Sequence, residues 1–167
     1  MTLAEINALD CDAFTACFAS LYENSPWVAQ RAWPRRPFAS AAALHDAMRQ
    51  ALADASHAEQ LGLIREHPEL ASKAAVAGHM TEDSKREQSG AGLDQCTPDE
   101  FALIRRLNGA YREKFGFPFI VAVKGLDRAA IIAALQRRLA NDAGAEFAEA
   151  LAQINRIAGF RLADRLA

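Results

Sequence analysis

The residue best suited to acid–base chemistry in this sequence is a histidine set directly before a proline. His67 stands before Pro68 in the stretch "IREHPEL". A residue that precedes proline is pushed out of the α-helical region, so a helix that arrives at His67 should end there and leave the imidazole at its edge. An imidazole in such a place can give or take a proton near neutral pH. We expect the other histidines, His45, His57 and His79, to be surface or hydrogen-bonded structural residues.

A second polar group lies in the stretch "TEDSKREQSGAG". A helix there would bring a hydroxyl, a carboxylate and an amide to one face, because Ser84, Glu87 and Gln88 are spaced i, i+3 and i+4. Lys85 and Arg86 would point away from that face. Two glycines follow and permit another backbone or a ligand to come close. An exposed polar helix explains the same residues, since helix surfaces are polar by default, and the spacing leaves both interpretations open.

The last helical pattern of the sequence carries a charge where an apolar residue is expected. Arg161 continues an apolar stripe that consists of Phe147, Leu151, Ile154 and Ala158. A charge on a core-facing stripe needs a partner. The guanidinium could form a structural ion pair, reach the surface along its aliphatic stem, or offer its planar fork to an anionic ligand. The residues alone leave these three alternatives open.

These three polar groups would make chemical sense together. His67 would be a titratable acid or base, Glu87 a carboxylate that orients and charges it, and Arg161 an anion clamp. The spacing does not establish that the three meet. A hydrolase metal site made of His67, His79 and Glu87 is an alternative, although its spacing matches no established pattern such as HExxH.

The composition is that of an ordinary globular protein. Of 167 residues, 51% are hydrophobic and 24% are charged, with a formal net charge of -2. This length suits a single domain over residues 1–167 with a sizeable core. Basic residues occur in short pairs such as Arg105-Arg106 and Arg137-Arg138, which we expect on the solvated surface. We therefore expect neither nucleic acid nor a membrane as a partner.

The cysteines and the terminal stretches favour a cytoplasmic protein. Cys11, Cys17 and Cys96 are odd in number and lack CxxC spacing, so we expect reduced structural thiols. The stretch "MTLAEINALDCD" is acidic and has no positively flanked apolar run, so it resembles neither a secretory signal nor a membrane anchor. The C-terminal "DRLA" differs from the peroxisomal Ser-Lys-Leu address.

Helix-capping signals recur along the chain and predict an all-α fold. A Ser, Thr or Asp before an amphipathic run marks a helix start, because its side chain can accept a hydrogen bond from a first-turn N–H group. The clearest case is "TPDE" at 97–100, which combines a capping threonine, a first-turn proline and a capping-box glutamate before a helix to about Phe115. The stretch "LASKAAVAGH" at 70–79 is helix-permissive. The other predicted helix starts are Thr2, Asp10, Ser25-Pro26, Ser40, Ser56, Thr81, Asp127 and the region around Gly144.

Only the stretch "FPFIVAVKG" at 117–125 has the β-branched and aromatic composition of a strand. A single strand has no partner in an otherwise helical chain, so we interpret this segment as an extended connection. Its backbone groups must then be satisfied by side chains, water or a ligand. A buried strand with an unrecognised partner is the alternative.

Four motifs together resemble the OHCU decarboxylase family. They are "HPEL" at 67–70, "SKREQSGAGL" at 84–93, "YREKFGFPFIVAVKG" at 111–125 and "INRIAGFRL" at 154–162. The likeness runs in order from about Phe14 to Leu166. Members of this family decarboxylate 2-oxo-4-hydroxy-4-carboxy-5-ureidoimidazoline in urate breakdown. The resemblance implies an all-helical fold with one extended substrate-binding loop, a homodimer, a small-molecule ureidoimidazoline substrate, and catalysis without metal or organic cofactor.

The resemblance also assigns site residues. His67 matches the family's catalytic histidine, Glu87 matches the glutamate of its SxxEQ motif, and Arg161 matches its arginine near the C-terminus. A ligand's ureido and ring amides would use the backbone groups of the extended loop. The other positions that match the family's substrate site are Pro68, Ser84, Gln88, Phe117, Phe119, Ile120 and Val121.

A non-catalytic helical binding module is a competing interpretation. In that case the stretch "PWVAQRAWP" at 26–34 would supply an exposed aromatic surface for a partner. Tryptophans buried in the protein or packed in a dimer explain the same residues.

Overall fold

The computed structural model describes residues 1–71 and 80–166. Within these ranges the chain forms helices joined by irregular segments, with no strand, so the predicted all-α class is confirmed. Most of the stretch "LASKAAVAGH" lies outside the described residues. The α-helices are α1 (Leu3–Ala8), α2 (Cys11–Phe18), α3 (Trp27–Ala32), α4 (Ala41–Ala53), α5 (His57–Glu66), α6 (Glu82–Gly90), α7 (Pro98–Phe115), α8 (Arg128–Arg138) and α9 (Ala143–Leu166). Short 3-10 turns lie at Ala19–Leu21, Trp33–Arg35 and Leu93–Gln95.

The helices begin where the capping residues predict. In α7, Thr97 and Glu100 form the predicted capping box. Helix α9 begins just before Gly144, because Asp142 Oδ1 accepts a hydrogen bond of 2.8 Å from the N–H of Ala145. First-turn N–H groups also donate to the side chains of Thr2, Asp10, Ser40, Ser56, Thr81 and Asp127.

The helices form two compact units. The first unit contains Met1–Glu66 and the part of α9 from Asn155 onward, and the second contains His67–Ile154. The assignment of residues 1–167 to one domain stays a prediction.

The core of the first unit is aromatic and aliphatic. The ring of Phe14 packs against those of Phe18 and Phe38, with centroid distances of 4.8 and 5.9 Å. Helix α3 packs on α2 and on α4. The largest fully buried side chains of this unit are Tyr22, Phe14, Ile6, Leu21, Leu44, Met48, Leu52, Leu63 and Ile64.

Helices α4 and α9 approach closely at a glycine. A Cβ atom placed on Gly159 would lie 2.9 Å from Cε1 of His45, which is closer than real Cβ contacts. The imidazole has little freedom to move, because its Nε2 forms a hydrogen bond of 2.8 Å with the carbonyl oxygen of Asn155. His45 is therefore the hydrogen-bonded structural histidine that we expected.

The second unit has an aromatic cluster around Tyr111. The ring of Tyr111 lies edge-on to those of Phe117 and Phe119, with centroid distances of 6.1 and 5.4 Å. Phe147 of α9 extends the cluster through Phe117 at 6.3 Å. Such edge-to-face pairs stabilise a core by more than their buried area alone.

A buried ion pair lies beside this cluster. Nε of Arg138 donates to both carboxylate oxygens of Glu146 at 3.1 Å, and its Nη2 donates to Oε2 at 2.8 Å. The hydroxyl of Tyr111 and Nδ2 of Asn141 donate to the same carboxylate. Arg138 is 5% exposed and Glu146 is 0% exposed. The prediction that the pair Arg137-Arg138 lies on the surface is correct for Arg137 but wrong for Arg138.

The carboxyl of Glu146 stays charged in this environment. Burial acts to raise its pKa, but the hydrogen bonds from Arg138, Tyr111 and Asn141 outweigh burial and bring the pKa below its usual value. For the phenol of Tyr111, burial and the hydrogen bond to Glu146 both raise the pKa. The tyrosine is therefore a fixed donor to a carboxylate acceptor.

The lowered pKa of Glu146 makes a pH-dependent contribution to stability. A carboxyl with a lower pKa in the folded state stabilises the protein above its usual pKa of 4.5, and this contribution is lost as the pH falls through the folded-state pKa. We expect Glu146→Gln to be less stable than the wild type at neutral pH, with a difference that shrinks in acid. Urea unfolding at a series of pH values measures it, with exposed Glu113→Gln as the control. A difference that is constant down to the acid limit would contradict this assignment.

Candidate active site

His67 is the first residue after α5 and is 7% exposed. Helix α5 starts with a capping box, in which Ser56 Oγ accepts from the N–H of Glu59 at 3.2 Å and Glu59 Oε2 accepts from the N–H of Ser56 at 2.9 Å. It ends at Glu66, one residue before the position that Pro68 excludes from helical geometry. The predicted helix end is confirmed, and it leaves a buried imidazole at the edge of an element.

The segment after His67 is held by side chains of α6 and α7. Nδ2 of Asn108 donates to the carbonyl oxygen of Leu70 at 2.9 Å, and the N–H of Ala71 donates to Oε1 of Gln88 at 3.1 Å. The φ of Ala71 is 51°, a left-handed conformation that costs a non-glycine residue about 1–2 kcal/mol. Tertiary hydrogen bonds thus hold the chain in a conformation that it would not adopt alone.

An ion pair closer to the surface also holds the segment after His67. Oε2 of Glu69 lies 2.9 Å from Nη2 of Arg112, and the arginine side chain is 58% exposed. Exposed ion pairs contribute little to stability because water screens them. The buried amides of Asn108 and Gln88 therefore do most to position the segment that His67 begins.

One face of α6 carries the polar residues that the spacing brings together. Ser84 and Gln88 are buried and Glu87 is half-buried. Lys85 and Arg86 lie outside this face and form ion pairs with acidic residues of the first turn. The interpretation of α6 as a wholly exposed polar helix is therefore excluded, and the predicted grouping on one face is confirmed.

The extended segment follows α7, which ends at Phe115 and is capped by Gly116 with a left-handed φ of 76°. Neither helix nor strand forms over 116–127, as predicted. The side chains of Phe117, Phe119 and Ile120 are buried, the two phenylalanines within the aromatic cluster of the second unit. Val121 is only half-buried. Of the four predicted loop contributors, Val121 is thus the one with an accessible side chain.

Helix side chains satisfy backbone groups of the extended segment. Nη1 of Arg138 donates to the carbonyl oxygen of Ile120 at 2.5 Å, and the N–H of Ala122 donates to Oε1 of Gln153 at 2.9 Å. The sequence predicted that side chains, water or a ligand must satisfy the backbone groups of this segment, and side chains do so at these two positions.

Arg161 forms a buried ion pair in the first unit. Its Nη1 lies 3.2 Å from Oε2 of Glu23 and also donates to the carbonyl oxygens of Ser20 and Leu21 at 3.1 and 3.4 Å. The exposed fractions of Arg161 and Glu23 are 3% and 2%. The structural ion pair among the three alternatives is therefore present. Because a guanidinium is a rigid planar fork, these bonds fix the direction of all its donors.

The predicted site residues are divided between the two units. Arg161 belongs to the first unit, whereas the second unit contains His67, Pro68, Ser84, Glu87, Gln88, Phe117, Phe119, Ile120 and Val121. Asn108 and Glu23, buried polar residues beside the predicted site residues, were not predicted from the sequence. For Asn108 a signal existed, because it lies with Ile104 and Tyr111 on the buried stripe of α7. For Glu23 no periodic pattern was available.

The described residues contain neither a cluster of metal ligands nor a membrane span. Within 1–71 and 80–166, no three His, Cys, Asp or Glu side chains are grouped so that they could hold a metal ion. His79 lies outside those ranges. No helix in them is both long and apolar enough to cross a bilayer.

The two tryptophans do not form an exposed aromatic surface. Trp27 and Trp33 are half-buried, and the guanidinium groups of Arg31 and Arg36 lie over their rings at 4.6 and 3.9 Å. The indole N–H of Trp33 donates to the carbonyl oxygen of Leu9 at 3.1 Å. These contacts are typical of tryptophans that pack within their own protein.

Comparison with known proteins identifies the family. The family model described as OHCU decarboxylase matches residues 7–163. The chain belongs to the OHCU decarboxylase family. It is 44% identical to a 2-oxo-4-hydroxy-4-carboxy-5-ureidoimidazoline decarboxylase of Haloferax volcanii, in an alignment that covers 99% of this chain and 96% of the relative.

Two further relatives of this OHCU decarboxylase family protein are longer. The uric acid degradation bifunctional protein PucL of Bacillus subtilis is 41% identical over 98% of this chain and 32% of its own length. The crystal structure of an (S)-allantoin synthase superimposes with a TM-score of 0.78 and 26% identity, over 99% of this chain and 54% of that chain. Sequences similar to this whole chain thus also occur as parts of longer chains.

A pair of substitutions on α7 tests whether Asn108 holds the segment that follows His67, with the neighbouring Gly109 as the control. Asn108→Ala leaves the carbonyl of Leu70 without its donor, so we expect the free energy of unfolding to fall by about 1–3 kcal/mol. Gly109→Ala, whose added Cβ meets nothing within 4 Å, should raise it by up to about 1 kcal/mol. Urea unfolding measures both changes. Equal stability of the two variants would contradict the role given to Asn108.

Removing the negative charge from the buried pair of Arg161 and Glu23 should cost more stability than removing it from an exposed pair. Glu23→Gln leaves a buried guanidinium without its counter-charge, and we expect it to destabilise the protein by on the order of 3 kcal/mol. Asp46→Asn disrupts the exposed pair with Arg49 and should leave stability nearly unchanged. Thermal unfolding of both variants provides the comparison, and a small effect of Glu23→Gln would show that the pair is not needed.

Proposed function

We propose that this protein catalyses the decarboxylation of 2-oxo-4-hydroxy-4-carboxy-5-ureidoimidazoline to (S)-allantoin and CO2 in urate breakdown. The observation that carries the proposal is a buried histidine at a helix end, His67, whose following segment is fixed by buried amides. It stands in a chain that is 44% identical to a relative named for this reaction. The relative named (S)-allantoin synthase supports the product.

The reaction needs an electron sink and one controlled proton. When the C–C bond to the carboxylate breaks, its electron pair can pass into the adjacent C=N or C=O group of the substrate ring and form an enolate-like system. The protein must stabilise this developing negative charge and then deliver a proton to one face of the ring carbon that becomes the stereocentre. Because the ring accepts the electrons, we propose that neither a metal nor an organic cofactor takes part.

We assign His67 the role of acid and proton donor. Its burial at a helix edge excludes bulk water, and a proton transfer by a positioned side chain accelerates a reaction by about 10²–10⁴-fold. We assign Glu87, half-buried on the same face of α6 as Ser84, the role of orienting and charging the imidazole. Pro68, Ser84 and Gln88 are proposed to line the substrate site.

We assign the anion-binding role to Arg161 and to the extended segment. The bonds from Arg161 to Glu23, Ser20 and Leu21 fix the plane of its guanidinium, as a bidentate carboxylate site requires. Preorganised donors of this kind stabilise developing charge at little cost in reorganisation. The backbone of the segment is proposed to bind the amide groups of the substrate, with Phe117, Phe119, Ile120 and Val121 contributing.

We further propose that the protein is a cytoplasmic homodimer, as the resemblance implies. The thiols of Cys11, Cys17 and Cys96 are free, which suits a reducing compartment. Sedimentation equilibrium of the purified chain tests the dimer.

The decisive test compares His67, which directly follows α5, with His57, the first residue of α5. The substrate is generated from urate with the two preceding enzymatic activities, and its ultraviolet decay is followed together with circular dichroism. We expect the wild type to produce an (S)-allantoin signal rapidly, because the uncatalysed decay is slow and gives a racemic product. His67→Gln should lose this turnover while retaining the fold, and exposed His57→Gln should behave like the wild type.

Each other outcome has a definite meaning. A near-normal rate for His67→Gln would remove this residue from the central role. A slow racemic decay that is the same with and without wild-type protein would overturn the proposed reaction. Ureide binding without turnover would favour the binding-module interpretation instead.

A further inference from the structure

One buried charge of the second unit has no part in the proposed reaction. Arg138 is the last residue of α8 and is 5% exposed, and Glu146 is fully buried. A buried ion pair is often no more stabilising than well-packed apolar residues of the same size, so stability alone does not explain it. Its other contacts indicate what the pair holds in place.

The guanidinium of Arg138 contacts two successive residues of the extended segment. Its Nη1 donates to the carbonyl oxygen of Ile120 at 2.5 Å, and its Cζ lies 4.6 Å from the ring centroid of Phe119. Its Nε and Nη2 donate to Glu146, which also accepts hydrogen bonds from Tyr111 and Asn141. These bonds to Glu146 therefore fix the orientation of the guanidinium, and with it the direction in which Nη1 donates to Ile120.

A second side chain holds the segment two residues further on. Oε1 of Gln153 accepts from the N–H of Ala122 at 2.9 Å, and Nε2 of Gln153 donates to Oε1 of Glu149 at 2.7 Å, which orients the amide. The two anchors lie on either side of Val121. Val121 is half-buried, whereas Ile120 and Ala122 are buried.

We propose that Arg138 and Gln153 are positioning residues that hold Val121 and its neighbouring peptide groups in the orientation that binds substrate. This inference rests on the proposed function. A binding segment without secondary structure needs such support, because a displacement of about 1 Å in a site is enough to lose much of its activity. Neither residue is among those that the family resemblance assigns to the site.

The test compares two conservative variants with a matched control. Arg138→Lys keeps the charge beside Glu146 but removes the fork that reaches Ile120, and Gln153→Met keeps the size but removes the acceptor for Ala122. Arg137→Lys makes the same exchange at the exposed neighbour. For each protein we would measure kcat and KM with the substrate generated in situ, together with amide hydrogen exchange of the peptide that covers 117–123.

We expect both variants to raise KM about tenfold, which corresponds to about 1.4 kcal/mol, with kcat changed much less. Exchange in the peptide 117–123 should become faster in both and stay unchanged in Arg137→Lys. Lower thermal stability with unchanged KM and unchanged exchange would overturn the proposal and leave a purely structural pair.

The exchange measurement separates this inference from the proposed function. If the wild type itself does not turn over the substrate, the proposed function fails. In that case unchanged exchange in both variants would also overturn the anchoring of the segment, whereas faster exchange confined to 117–123 would support that anchoring alone.

Discussion

Backbone groups outside helices need partners, and this constraint governs the candidate site. A helix satisfies most of its own backbone groups, but within 1–71 and 80–166 the segments between helices have no sheet to pair with. In the described chain, buried polar side chains on helices supply the partners. Asn108 holds the carbonyl of Leu70, Arg138 holds that of Ile120, and Arg161 holds two carbonyls of the first unit. The residues assigned to substrate binding lie largely in or beside these irregular segments.

The same constraint explains why the buried arginines are paired. A guanidinium taken out of water needs a counter-charge, and Glu146 and Glu23 provide one inside the unit to which each arginine belongs. The carboxylate also sets the direction of the guanidinium, since the fork is planar and rigid. Arg138 and Arg161 thus combine two tasks, because the pair neutralises the charge and the other donors hold backbone. Lysine would neutralise the charge without offering the second set of aligned donors.

Local signals were enough to predict most helix boundaries, because a cap depends on residues only three positions apart. Thr97 is an example. The anchors of the irregular segments depend on contacts between residues far apart in sequence, so no local pattern identifies the partner. A partial signal did exist: Arg138 continues the buried stripe of Ile131 and Leu135, and Asn108 interrupts a similar stripe on α7. Two adjacent arginines are typical of a solvent-exposed surface, so the signal at Arg138 was not recognised.

For the candidate site, local geometry could be predicted from the sequence, whereas the pairing of distant residues could not. The edge position of His67 and the common face of Ser84 and Gln88 followed from proline geometry and helical periodicity, and the structure has both. The ion pair of Arg161 was one of three open alternatives, and its partner Glu23 lies in a short connection with no periodic pattern. Charge pairing between distant parts of a chain is a property of the folded state, which composition does not encode.

The close approach of His45 to Gly159 has a consequence for how this protein can vary. The imidazole occupies the space that a side chain at 159 would need, and moving it aside would break its hydrogen bond to the carbonyl oxygen of Asn155. The two positions are therefore coupled during divergence. A larger residue at 159 costs less stability once position 45 has become smaller, so the order of the two substitutions affects which evolutionary paths are favourable.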